Sequence, residues 1–205
     1  MQYLKNLSFI CLSTFIISCG DNTTLSPLKD VTSINLDDTN ISIYATQAAK
    51  TLTATVTYND GTTADASIDF SWESLDSSIF NASTASIVAT SNGGDANLSI
   101  DYQSTFNDYT SVHVKKLLTI NYSDLNISDI GNPQIIYVSG NYENNESNIS
   151  MENNILWTVD SNATLTDVNA SQMTITVDYN VTSILLKASL FYNTSYVEDF
   201  NKTFY

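Results

Sequence analysis

The chain is predicted to be all-β, two tandem antiparallel β-sandwiches of about 86 residues each behind an apolar leader. Three observations predict this. After residue 30 apolar residues alternate with a period of two, and no segment sustains a 3.6-residue period. Gly- and Asp-containing turn signals separate the alternating runs. Two landmarks also recur at nearly one offset. SINLDDTNIS (33–42) aligns with TINYSDLNIS (119–128) 86 positions later, and FSWES (70–74) with ILWTV (155–159), placing Trp72 and Trp157 85 apart. A duplicated unit with one central tryptophan accounts for both.

Residues 1–18, MQYLKNLSFICLSTFIIS, place one Lys ahead of about a dozen mostly apolar residues. That is short for a membrane span and suits the hydrophobic part of an export signal. The sequence IISCG that follows resembles the lipobox of bacterial lipoproteins, with Ile16, Ile17 and Ser18 at the recognition positions. The resemblance implies cleavage before Cys19, diacylglycerol on its thiol and an acylated new N-terminus. Gly20, standing where Asp would favour retention, implies the outer membrane, with the protein lipid-anchored and facing the periplasm or the outside. On this reading Cys11 leaves with the signal, and no thiol remains for disulfides, nucleophilic catalysis or metal binding. Residues 19–30, polar and containing Pro27, form a tether.

The first unit spans 31–116. KTLTATVTY (50–58) puts Leu52, Ala54, Val56 and Tyr58 on one face, and ANLSIDY (96–102) and YTSVHVK (109–115) alternate likewise. YNDGTT (58–63) and SNGGD (91–95) supply tight turns. Six or seven short strands around a central Trp form an immunoglobulin-like pattern. TLTATVTYNDGTTAD, FSWESLDSSI and SIVATSNGGDANLSI resemble a group 2 bacterial immunoglobulin-like domain, through L-x-A-x-x-x-Y-x-D-G and W-x-S-x-D. Glu73 stands where that family commonly has Ser. The second unit, 117–205, keeps Trp157, QMTITVDY (172–179) and SILLKASLFY (183–192) but lacks the Asp-Gly hairpin, so it is a divergent repeat. The junction VHVKKLLTINY has no Gly, Pro or Ser-rich linker, which predicts a strand-to-strand join with little hinge freedom. The resemblance implies a structural or spacer role in the cell envelope, or else an adhesin or a protein- or carbohydrate-binding module.

Composition narrows the chemistry. Twenty-two acids against seven Lys and no Arg give a formal charge of −15, which repels phosphate backbones and excludes a nucleic-acid partner. His113, the only histidine, shares the outward face of its strand with Tyr109, Ser111 and Lys115 and reads as an exposed strand residue. Asp37, Asp38, Asp65, Asp69, Glu73 and Asp76 could offer paired carboxylates, but no G-x-S-x-G elbow or triad setting occurs, so the chain is read as a non-enzyme. No cofactor is predicted. Calcium is the one ion the loops LDDTN (36–40), YNDG (58–61) and NGGDAN (92–97) could take, best near the domain junction, although no EF-hand spacing is present. Twelve tyrosines suit strands and could also build a flat binding surface for protein or glycan.

One phrase recurs. Thirteen Asn-x-Ser/Thr triplets follow Cys19, and nine carry an acid two residues before the Asn: Asn40, Asn97, Asn126, Asn145, Asn148, Asn162, Asn169, Asn180 and Asn201. Strand alternation would place acid, Asn and Ser on one wet face but predicts only about three acidic cases. The alternative is an N-glycosylation acceptor of the extended bacterial type. On that reading Asn145 and Asn148, in the polar stretch NYENNESNIS that is expected to be a flexible loop, are the favoured sites, and strand positions such as Asn180 are disfavoured.

Overall fold

The computed structural model describes residues 29–152, 155–192 and 195–205, so Cys19 and most of the tether lie outside the described residues. The first unit runs β1 (Val31–Leu36), β2 (Ile41–Tyr44), β3 (Lys50–Thr51), β4 (Ala54–Tyr58) and β5 (Thr63–Asp65). A 3-10 turn (Ser67–Asp69) leads to β6 (Ser71–Ser74), β7 (Phe80–Ser83), β8 (Ser86–Ala89), β9 (Gly94–Tyr102) and β10 (Phe106–Lys115). The second unit contains β11 (Leu117–Tyr122), β12 (Pro133–Tyr142), a 3-10 turn (Glu143–Asn145), β13 (Ile155–Val159), β14 (Ala163–Thr166), β15 (Gln172–Val177), β16 (Ile184–Tyr192) and β17 (Ser195–Phe204). The all-β, two-sandwich expectation is borne out.

In the first unit one layer joins β1-β4-β5 and β3-β8-β7, and the other is β2-β10-β9-β6. The alternating run 50–58 serves both parts of the first layer. It changes partner at Leu52, whose N–H donates to Ala85 O (2.9 Å), and beyond that point β4 pairs with β1. Leu36, Val56, Phe80 and Ile87 from this layer meet Ile43, Trp72, Leu98, Ile100, Val112 and Val114 from the other in one buried core. Each such side chain contributes roughly 1.5–3 kcal/mol on leaving water. The Trp72 indole N–H donates to the Ser67 carbonyl in the 3-10 turn (2.8 Å).

One pairing departs from the antiparallel expectation. Strand β2 runs parallel to β10, Ile41–Tyr44 beside Val112–Lys115. The chain crosses between layers after β1, turning at Asn40 with φ 55°, a left-handed conformation that Asn tolerates better than most residues. It therefore arrives beside the unit's last strand heading the same way.

The divergent copy is the more regular one. Its layers are β11-β12-β15-β14 and β13-β16-β17, the four-plus-three arrangement of an immunoglobulin-like sandwich. Its core holds Leu117, Ile136, Trp157, Met173, Ile175, Leu186 and Leu190. Trp157 stacks edge-on to Tyr122 at 6.0 Å, and among the described residues neither Trp157 Nε1 nor Tyr122 Oη has a hydrogen-bond partner. Burial pushes the Tyr122 phenol far above its ordinary range. The segment aligned with β2 does not become a strand here. In DTNISIY the alternation continues through Ile43 and Tyr44, whereas DLNISDIG breaks at Asp129 and Gly131 (φ 78°). Ile130 makes a single parallel bridge to Val177, and no described strand lies beside β17 on its outer side.

Candidate functional site

Where the units meet, only Lys116 separates β10 from β11. Two surfaces close over it. From the first unit come the end of β10, the loop 45–49 after β2, and the Gly93 turn. From the second comes the segment 142–152. Glu143 N–H donates to Lys116 O (3.2 Å) and Glu152 N–H to Thr46 O (2.8 Å), while the Glu152 carboxylate accepts Ala48 N–H (2.8 Å). Thr46 and Tyr142, both fully buried, are hydrogen-bonded through their hydroxyls. Tyr44 packs on Tyr142 with ring centroids 4.7 Å apart. Gly93 (φ 67°) lies so close that a Cβ there would stand 2.6 Å from Lys116 Cβ.

Charge is organised at the same place. Glu146 accepts from Lys115 Nζ (2.5 Å) and from Tyr44 Oη (2.6 Å). Lys115, then Tyr44, holds the Glu146 carboxyl below the usual range, and the Glu146 bond, then burial, pushes the Tyr44 phenol up. Lys115 Nζ also lies 4.9 Å over the Tyr44 ring. His113 does take the outward face of β10, but its side chain is only 33% exposed because the second unit covers it. Its Nδ1 lies 2.7 Å from Asp95 Oδ1 and its Nε2 2.7 Å from Glu143 Oε1. The expectation of an exposed strand histidine is corrected accordingly: it is a junction residue.

The remaining sequence candidates disperse. Among the described residues no three His, Cys, Asp or Glu side chains converge as a metal site would require. Of the loop carboxylates considered for calcium or for paired-acid chemistry, Asp37, Asp38, Asp60, Asp65, Asp76 and Asp95 are used in turns and pairings. Asp60 accepts Thr62 N–H and Oγ1 and pairs with Lys29, which, with Thr62, drives its carboxyl far below the ordinary range. Asp65 caps Ser67 and Asp76 caps Ser78 in the same manner, and both carboxyls are lowered by those hydroxyl bonds. Asp37 accepts from Asn35, and Asp95 belongs to His113.

The nine acid-preceded asparagines do not support the strand explanation. Only Asn97 (β9) and Asn201 (β17) lie in strands. Asn180 lies in the exposed loop between β15 and β16, contrary to its expected strand position. Asn40, Asn145 and Asn148 have φ between 55° and 62°, where Asn is favoured for backbone reasons. The i, i+2 spacing has its own cause in three cases. Asn126 Oδ1 accepts Ser128 N–H (3.1 Å), Asn169 Oδ1 accepts Ser171 N–H (2.9 Å), and Asp160 Oδ1 accepts Asn162 N–H (3.1 Å), all side-chain-closed turns. Several of the acids have partners too: Asp95, Glu143 and Glu146 at the junction, and Asp178 on Thr164 (2.8 Å). NYENNESNIS is folded rather than loose. Gly140 and Ile149 bridge, and Asn148 Oδ1 accepts Asn121 Nδ2 (3.1 Å), which also bonds Asn141 (2.9 Å).

That amide ladder borders a shallow cleft of about 260 Å³ on the outer face of β11 and β12. Asn121, Ser123, Tyr137, Ser139 and Asn148 line it without a charged group, and Tyr137 is 59% exposed.

The acidic segment 142–152 opposite the Lys115–Lys116 pair is what sequence reasoning missed. The signal was present, since these are the only adjacent lysines in the chain and Glu143, Glu146 and Glu152 fall within ten residues of one another.

Fold and junction together define a tandem β-sandwich protein whose two units are hydrogen-bonded to each other at the join. No family model and no curated protein matches the chain. Among solved structures, domains 4–9 of the surface layer protein SbsC align at 13% identity and a TM-score of 0.38, covering 86% of this chain and 31% of that one. Domains 5–6 of the S-layer protein SbsC align at 13% identity and 0.37, covering 86% and 98%. Protocadherin gamma B7 extracellular cadherin domains 1–4 align at 10% identity and 0.30, covering 84% and 49%. The chain thus spans about a third of the first of these and about half of the last.

Proposed function

We propose that this is a lipid-anchored envelope protein whose two sandwiches form a stiff spacer, held to the outer membrane through Cys19 and free of catalytic or nucleic-acid chemistry. The join carries the reading. A one-residue connection closed by main-chain hydrogen bonds, buried hydroxyls and ion pairs costs interdomain freedom and serves a protein whose task is to hold a distance. The IISCG sequence supports the anchor, and the group 2 immunoglobulin-like segment supports the stalk. Spin labels at Asn107→Cys and Thr166→Cys, one exposed position in each unit, should give one narrow distance distribution. A broad distribution would sink the spacer role. Cys19→Ala should abolish incorporation of labelled fatty acid, and labelling of that variant would remove the anchor.

A second reading, a binding module, is favoured by the uncharged cleft. Amide and hydroxyl groups beside an exposed aromatic suit a neutral glycan or a polar protein surface. A glycan array probed with the native chain and with Tyr137→Ala tests it, and equal or absent binding by both would discard it.

A further inference from the structure

We propose, on the binding-module reading of the cleft, that it selects an N-acetylated hexose. The acetamido carbonyl is taken by the side-chain amide of Asn148 and the sugar ring by Tyr137. Charged ligands are disfavoured first. The outward positions of β11 and β12 include Thr119, Asn121, Ile135, Tyr137, Ser139 and Asn141, none of them charged at neutral pH. In a chain of net charge −15 this is a neutral island. The cleft lining offers no cation to an acidic sugar and no carboxylate to a basic one.

Hydrogen bonding then fixes the polarity of the site. A primary amide has two N–H donors and a carbonyl oxygen with two lone pairs. Asn121 Nδ2 directs its hydrogens to Asn141 Oδ1 (2.9 Å) and Asn148 Oδ1 (3.1 Å). Asn141 Nδ2 directs its own to Asn121 Oδ1 (3.0 Å) and Thr119 Oγ1 (2.9 Å). The Asn148 carbonyl also faces the Ser139 hydroxyl at 3.5 Å, and the Asn148 main-chain N–H donates to Asn141 Oδ1 (3.3 Å). Asn148 is thus held by its carbonyl and its backbone, while among the described residues no group accepts from its Nδ2. Ser123 Oγ accepts Tyr137 N–H (3.0 Å), which leaves its hydroxyl hydrogen to donate. The cleft presents donors.

That polarity selects a ligand bringing acceptors. An amide carbonyl accepts more strongly than a hydroxyl or a ring ether oxygen, and an acetamido group places one beside a pyranose ring. Tyr137, 59% exposed, offers that ring an aromatic face. The volume, about 260 Å³, lies below the ~300–1,000 Å³ of drug-sized pockets and suits one sugar ring with its substituent. Because the amide ladder already orients Asn148, little side-chain freedom is lost when the ligand arrives.

The test titrates the full chain by NMR with N,N′-diacetylchitobiose and with cellobiose, which share one linkage. They differ in carrying acetamido groups or hydroxyls at the same carbon. The diacetyl sugar should bind about tenfold more tightly, the fold-change of one good hydrogen bond, and should shift the Asn148 side-chain amide signal. Asn148→Asp keeps an oxygen for Asn121 but replaces the donor by an acceptor, so the preference should vanish while the circular dichroism spectrum is unchanged. Tyr137→Ala should weaken both sugars in equal proportion. Binding of neither sugar by the native chain would remove the binding-module reading and this inference with it. Equal binding of the two would overturn only the acetamido selection and leave a neutral-glycan module standing. So would a preference that survives in Asn148→Asp, and unchanged binding by Tyr137→Ala would take the ring contact away.

Discussion

Replacing each tryptophan by phenylalanine separates two buried indoles that occupy equivalent places in the repeat. Trp72 is 8% exposed and Trp157 5%, so both substitutions remove a similar piece of ring from a similar core. The polar ends differ. Trp72→Phe takes the donor from Ser67 O and leaves that carbonyl buried beside the 3-10 turn, adding about 1–3 kcal/mol to the packing loss. Trp157→Phe removes a buried N–H that has no partner among the described residues, recovering its desolvation cost of about 1–3 kcal/mol. The first substitution should therefore exceed the second by at least about 2 kcal/mol. Urea unfolding followed by circular dichroism measures the loss. The chain has only these two tryptophans, so in each variant the remaining one reports fluorescence from the untouched unit. Equal costs at the two positions would refute the reasoning and would mean that Trp157 Nε1 bonds a buried water.

Gly93→Ala should lower stability by about 2 kcal/mol or more, through positive-φ strain plus collision with Lys116. Gly61→Ala, at φ 79° with nothing within 4 Å of the added methyl, should cost only the strain, about 1 kcal/mol; thermal unfolding of the pair isolates the contact. Glu146 has a carboxyl held down by Lys115 and Tyr44, so its contribution is complete above the ordinary carboxylate range and is lost as pH falls through the lowered value. The spin-label distribution should therefore broaden as acidification passes below the ordinary carboxylate range, and Glu146→Gln should abolish that acid response. If the chain is glycosylated in its native host, intact-mass and peptide analysis should find Asn145 and Asn180, both exposed outside strands, occupied ahead of Asn97 within β9 and of Asn148 with its carbonyl in the amide ladder. A single unmodified mass would leave the nine triplets to the turns, positive-φ positions and strands in which they lie.

Alternation exposed the strands because half-buried pairs need it, and it worked best where one run served one partner. It failed at Leu52, where KTLTATVTY changes neighbours without any change in its apolar period. Nor does it separate strand from turn in DLNIS, which shares the burial rhythm of a strand, Leu125 buried between exposed Asp124 and Asn126, while a side-chain-closed turn sets its backbone. Spacing by two is common to a pleated strand and to an Asx-type turn, so position alone could not separate them. The join was half legible. A missing linker predicts proximity, but His113 meeting Glu143 depends on the orientation of one unit upon the other, which no local pattern encodes.

The parallel seam between β2 and β10 has a mechanical consequence. Tension entering at Lys29 and leaving at Leu117 would pull β2 from its leading end and β10 from its trailing end. The rungs from Ile41–Val112 to Tyr44–Lys115 would then slide against the load together, in shear, instead of opening one after another like a zip. A seam loaded this way resists through its unfolding barrier rather than its equilibrium stability. Among the described residues of the second unit no strand counterpart of β2 lies beside β17, so β17 carries no such seam. Stretched in series, the regular sandwich should give way first and the irregular one should hold.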